Sequence, residues 1–151
     1  MRFVFRALRA YLLFALASAA LGSVWAQDMR SGTLKSVTGQ VHVTKGQERR
    51  DAKSGGGFAE TDRLMTGTDG IAVMMLRDGT QITVGPNSQV DLTHFQFDAT
   101  TQTGSLAVRV MLGTIRMVTG VLGKLSPENV KVTTPSSTVS VRGTDFIVEV
   151  L

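Results

Sequence analysis

From Leu34 onward the chain alternates apolar and polar residues with a period of two. Val37, Val41 and Val43 share one parity around Gly39, and Ile82 and Val84 alternate with threonines. Val90 and Leu92 flank Asp91, and Leu106, Val108, Val110 and Leu112 alternate with Ala107, Arg109 and Met111. Ile115 and Met117, Val130 and Val132, Val139 and Val141, then Phe146, Val148 and Val150 continue the pattern. A period of two sets successive side chains on opposite faces of a strand, so each run predicts one buried face and one wet face. Residues 71–76 form a short apolar run and predict a buried strand. No stretch beyond residue 26 has a convincing helical period; the best candidate is Gly120 to Ser126, short and bounded by glycine.

The punctuation between these runs is that of turns. Asp69-Gly70 and Asp78-Gly79 are Asp-Gly pairs, in which glycine accepts positive φ and aspartate tolerates it. Gly85-Pro86-Asn87 predicts a turn of a second kind, and Pro135, which lacks a ladder donor, belongs at a strand end or edge. Residues 47–62, charged and containing Gly55-Gly56-Gly57, predict a mobile surface loop.

One corner recurs. Gly79-Thr80, Gly113-Thr114 and Gly143-Thr144 each precede a strand, 34 and then 30 residues apart. Residues 32–39, Gly-Thr-Leu-Lys-Ser-Val-Thr-Gly, also closely match residues 113–120, Gly-Thr-Ile-Arg-Met-Val-Thr-Gly. A recurring unit of this size is the mark of stacked coils that cover one another's apolar faces. The expected fold is therefore all-β, a β-solenoid-like stack of short strands turned at Gly-Thr corners. A β-sandwich of many hairpins produces the same alternation and is the alternative.

The N-terminus has a different character. Arg2, Arg6 and Arg9 open the chain, an apolar stretch of 15 residues runs from Ala10 to Val24, and Val24-Trp25-Ala26 supplies compact residues before a cut. This layout predicts a secretory signal peptide over residues 1–26, cleaved between Ala26 and Gln27, because the apolar run is shorter than the roughly 20 residues of a membrane-spanning helix. Residues 27–151 then form a single domain, periplasmic or secreted, with no stable membrane anchor after cleavage.

Cleavage changes the charge balance. Three of the 16 basic residues lie in the signal, which leaves 13 against 12 acidic residues, a net of +1. Arg49-Arg50 is the one basic doublet, so no basic stripe argues for nucleic acid. The only tryptophan and the only tyrosine, Trp25 and Tyr11, leave with the signal. Cysteine is absent, so stability must come from the core and the backbone ladder rather than disulfides.

Little in the chain suggests chemistry. His42 and His94 are far apart in sequence and have no cysteine beside them; each reads as a solvated strand residue rather than a metal ligand. Ser136, Ser137 and Ser140 have no histidine nearby in sequence to act as a base. Gly55-Gly56-Gly57 lacks the Lys-Ser/Thr of a phosphate cradle. No catalytic residue, cofactor or metal site is expected. The candidate partner-binding residues are Arg142, before the last Gly-Thr corner, and Phe95 with Phe97, which share one strand face and would form a docking ridge if exposed. Core packing of the two phenylalanines, and capping of the corner by Arg142, are the structural readings of the same residues.

Taken together, the motifs resemble the FecR-type periplasmic domain. They are Gly39-Gln-Val-His-Val, Thr66-Gly-Thr-Asp-Gly-Ile-Ala-Val, Asp78-Gly-Thr, Pro86-Asn-Ser and Gly113-Thr-Ile, closing with Val132-Thr-Thr-Pro and Val141-Arg-Gly-Thr-Asp-Phe-Ile-Val. The last two pieces, in order and closely spaced, are the specific ones. The resemblance implies a β-solenoid-like fold and, more loosely, signalling. Iron-dicitrate sensors of that family carry a cytoplasmic sigma-factor-binding segment before a membrane helix. Here nine residues precede the apolar run, so the expectation is a stand-alone exported form. The expected function is a non-catalytic envelope module that binds another protein in signalling or scaffolding. A glycan or cell-wall binder is the alternative, disfavoured by the missing Trp and Tyr.

Overall fold

The protein's structure, a computed structural model, describes residues 30–141 and 144–151. Twelve strands follow in chain order: β1 (Gly32–Thr38), β2 (Val41–Lys45), β3 (Glu48–Asp51), β4 (Gly57–Phe58), β5 (Arg63–Thr66), β6 (Ile71–Leu76), β7 (Gln81–Val84), β8 (Gln89–Asp98), β9 (Thr103–Val118), β10 (Val130–Thr133), β11 (Thr138–Ser140) and β12 (Asp145–Val150). A short helix, α1 (Val121–Leu125), falls where the glycine-bounded candidate was expected, and a 3-10 turn (Pro127–Asn129) follows it. The all-β expectation holds.

The strands join in one curled half-barrel sheet. Its spine is β9. The first half of β9 lies antiparallel to β8 and parallel to β10, while its second half lies between β7 and β12, antiparallel to both. One arm of the sheet therefore runs β4–β1–β6–β7–β9–β12, and the other β3–β2–β5–β8–β9–β10–β11. The two sequence-similar segments flank one hairpin: β1 pairs with β6, and the second half of β9 pairs with β7.

The core fills the curl. Leu34, Val43, Ile82, Val84, Val90, Leu92, Val108, Val110, Ile115 and Met117 are all buried. The alternation predicted these inward faces but missed three changes of phase. Register shifts interrupt β1 between Leu34 and Ser36 and β8 between Leu92 and His94. In β9 the buried parity passes from Val108 and Val110 to Ile115 and Met117. Leu112, expected inward, is 49% exposed as a result. A bulge adds one residue to one strand and sends every later side chain to the other face.

The Gly-Thr corners have unlike roles. Gly79, with φ +83, closes the β6–β7 turn. Gly113, with φ +84, lies inside β9, where the strand passes from one arm to the other. Gly143 lies outside the described residues. Gly70 does not use positive φ; it allows close approach, because a Cβ there would overlap the carbonyl oxygen of Gln40.

The expected mobile loop at 47–62 instead carries β3 and β4. Phe58 is buried in the core and anchors it. Arg50 donates to the Gly57 carbonyl at 2.8 Å and to Asp62 Oδ2 at 3.2 Å, and the same carboxylate accepts the Ala59 N–H at 3.0 Å.

Candidate functional site

Phe95 and Phe97, read as core residues or, if exposed, a docking ridge, face inward. Phe95 is only 4% exposed and Phe97 packs against the core, because the register shift in β8 keeps both on the buried face. Arg142 and the cleavage pair Ala26–Gln27 lie outside the described residues.

The two histidines are tied to carboxylates on the outer face. His42 Nδ1 is 2.9 Å from Asp51 Oδ1, across the β2–β3 pair. His94 sits between Glu60 and Ser105, with Nδ1 2.8 Å from Glu60 Oε1 and Nε2 2.9 Å from Ser105 Oγ. Sequence reasoning sought a base near Ser136, Ser137 and Ser140 and overlooked Ser105, which antiparallel pairing of β8 and β9 brings to His94 from 11 positions away. The order acid, imidazole, hydroxyl is that of a catalytic triad. Acyl transfer also needs donors aimed at a developing oxyanion. Ser105 stands on β9, in a ladder that engages the backbone of β8 and β9 with each other. The trio links the Glu60 segment to the β8–β9 pair.

Charged pairs also cross strands. Arg63 binds Asp91 through two hydrogen bonds, Nε to Oδ1 at 2.7 Å and an Nη to Oδ2 at 2.8 Å. Arg116 binds Asp145 in the same two-point manner, with Nε 2.9 Å from Oδ1, and so ties β9 to β12. The Arg116 guanidinium, by hydrogen bond and charge, holds the Asp145 carboxyl below the usual aspartate range. A carboxyl with a lowered folded pKa stabilises the fold above its unfolded pKa and loses that effect as pH falls through the folded value. Thermal melts of the wild type and Asp145→Asn should therefore differ at neutral pH and converge in acid below the ordinary aspartate range. Both groups are exposed, so added salt should shrink the gap. Asp98, lowered by the backbone N–H groups of Thr101 and Thr100, is common to both proteins and cancels. A gap that persists unchanged in acid would show that Asp145 acts through something other than its charge.

A candidate site lies where β11 and β12 end one side of each arm, as β3 and β4 end the other. Among the described residues, β11 pairs only with β10, and β12 pairs only with β9. Each therefore has a ladder partner on one side only among the described residues, as do β3 and β4. Between them opens a cleft of about 690 Å³, lined by Val139 and Val141 on one side and Phe146, Val148 and Val150 on the other. Ile147 and Val139, also on its lining, are 67% and 40% exposed. Thr134, Ser136, Ser137 and Ser140 give the β11 side a polar rim. Pro135 sits at the turn before β11, where Thr134 Oγ1 accepts the Ser137 N–H at 3.1 Å. A free strand edge offers a row of main-chain donors and acceptors, and natural sheets usually blunt or cover it. The sequence held the signal for this strand in the alternation of residues 146–150, but not its pairing with β9 alone among the described residues.

No helix among the described residues is long and apolar enough to cross a membrane. Comparison with curated proteins and with solved structures finds no match. A protein-family model described as FecR protein matches residues 62–150, from the lead-in to β5 through the end of β12. That span takes in the β9 spine, the β11 and β12 strands and the closing Gly-Thr motif. On this match, over more than half its length, the chain belongs to the FecR protein family, a family of signalling and regulatory modules.

Proposed function

We propose that this chain is an exported, non-catalytic module of the cell envelope that binds another protein, and that it does so by strand pairing at a sheet edge. The observation that carries the reading is that β11 and β12 each pair on one side only among the described residues, with Val139 and Ile147 exposed on them. Main-chain hydrogen bonds to a free edge supply affinity, and alternate side-chain positions supply specificity. Export rests on the basic, apolar and small-residue layout of residues 1–26. The finer reading of the fold as β-solenoid-like is supported by the near-repeat of residues 32–39 in 113–120, two segments on either side of one hairpin.

The test is made on protein recovered from the envelope fraction after mild crosslinking. Its mass should correspond to a chain that begins at Gln27, and a reproducible protein partner should come with it. An uncut chain recovered from the cytoplasm sinks the export reading. A monomer that retains nothing reproducible sinks the binding reading.

A further inference from the structure

We infer that the outer face of β5, β8 and β9 carries a site of reversible oxidation. The thioethers of Met65 and Met111 each take one oxygen from a hydroperoxide, and the face turns from apolar to polar while the fold stands.

The ladder gathers this site from distant parts of the chain. Leu64, Val90 and Val110 are buried in the core, so their strand neighbours Met65, Gln89 and Met111 point the opposite way. Met65 pairs with Gln89, and Gln89 pairs with Leu112. A register shift beside Gln89 leaves Met111 without a partner on β8. Met65 and Met111 are 38% and 36% exposed, and Leu112 is exposed beside them.

The other methionines are placed differently. Met74 and Met117 are buried in the core, and Met75 is half-buried on β6. Met1 and Met29 lie outside the described residues. The chain has no cysteine, so no thiol competes for a two-electron oxidant.

In the step itself a sulfur lone pair attacks one oxygen of hydrogen peroxide, and the O–O bond breaks. The proton on the transferred oxygen passes to the departing hydroxide, which leaves as water. Sulfur is oxidised and the peroxide is reduced. The product is a polar sulfoxide, which in the core would disrupt packing. On this face it meets water and the Gln89 side-chain amide, which has no hydrogen-bond partner among the described residues. A Gln89 amide N–H donates to the Met65 sulfoxide oxygen across the strand pair. A reductase that returns sulfoxide to thioether finds both sites at the surface.

The test exposes the folded chain to dilute hydrogen peroxide and follows oxygen uptake at each methionine by peptide mass mapping. Met65 and Met111 should react at least about ten-fold faster than Met74 and Met117, because a buried sulfur waits for the fold to open. Urea-unfolded chain should lose that distinction. Protein oxidised at both sites should keep its urea midpoint and elute earlier from an apolar column. Methionine sulfoxide reductase with a thiol reductant should restore its mass and its elution. The double variant Met65→Leu, Met111→Leu keeps the apolar face, and peroxide should leave its elution unchanged. The Gln89 side-chain amide resonances should move on oxidation of the wild type and stay in place in Met65→Leu. Equal rates at exposed and buried methionines, unfolding that accompanies oxidation of Met65 and Met111, or sulfoxides that the reductase leaves untouched would each overturn the assignment. So would an elution that oxidation of the wild type does not change. A Gln89 amide that does not respond overturns its hydrogen bond to the sulfoxide.

Discussion

Replacing Gly113 with alanine is expected to cost about 4 kcal/mol of stability, enough to leave much of the protein unfolded under ordinary conditions. Two independent costs meet at this position. Gly113 has φ +84, where an L-residue pays of order 1–3 kcal/mol. A Cβ there would also overlap Ser88 Oγ and stand 2.6 Å from Ser88 Cα. Ser88 has little freedom to retreat. Its N–H donates to Thr66 Oγ1 at 2.9 Å, its carbonyl accepts the Thr66 N–H at 3.0 Å, and its hydroxyl accepts the Thr114 N–H at 3.0 Å. The clash therefore falls on β9, the strand that holds β7, β8, β10 and β12.

Gly79→Ala provides the control. Gly79 has φ +83, almost the same value, but a Cβ there would meet nothing within 4 Å. It should lose only the conformational share, about 1–2 kcal/mol. Urea midpoints of the two variants separate the terms directly. A Gly113→Ala protein as stable as Gly79→Ala would mean that the β8 turn yields, and that the spine is not held as described.

These two glycines also show how far local pattern reached. Both stand in a Gly-Thr pair before a strand, and sequence spacing read them as equal corners of successive coils. In the fold one ends a hairpin and the other bends a continuous strand. The difference depends on Ser88, 25 positions earlier in the chain, which no local pattern names. The buried faces were legible because strand periodicity is local. Val90, Val108, Val132 and Ile82 are all where alternation put them. Leu112 was not, because a change of phase in β9 turned it to solvent, and a bulge is decided by what the neighbouring strands need. Phe58 was missed for a related reason. It lies among charges and glycines that read as loop, and a single aromatic anchor has no period to betray it.

The β12 edge was half legible. Alternation marked residues 146–150 as a strand with an apolar face. Whether another strand covers that face is a property of topology. The outer-face links were less legible still. Glu60 and His94 are 34 residues apart, and their contact follows from the return of a loop over β8.

Thr80→Val is expected to cost about 2–3 kcal/mol although it preserves side-chain shape almost completely. Thr80 is fully buried, and its hydroxyl is a junction. It donates to Asp78 Oδ2 at 2.7 Å and accepts the Gly120 N–H at 2.9 Å. The Thr80 N–H donates in turn to Asp78 Oδ1 at 3.0 Å, and the Asp78 carbonyl accepts the Val121 N–H at 2.9 Å. The β6–β7 turn and the start of α1 are thus joined through one hydroxyl and one carboxylate. Gly120 permits the approach, since a Cβ there would overlap the Asp78 carbonyl oxygen. Valine removes the hydroxyl and leaves two buried groups without partners, a carboxylate oxygen and a backbone N–H. Asp78→Ala should be at least as damaging, because the Thr80 N–H and hydroxyl both lose their acceptor in a buried site. Hydrogen exchange distinguishes this account from a loss of packing. The Gly120 and Val121 amides should exchange faster in Thr80→Val, while Ile82 and Met117, deep in the core, should follow only the change in global stability. Uniform acceleration with no excess at Gly120 would show that the hydroxyl is not what fastens α1 to the turn.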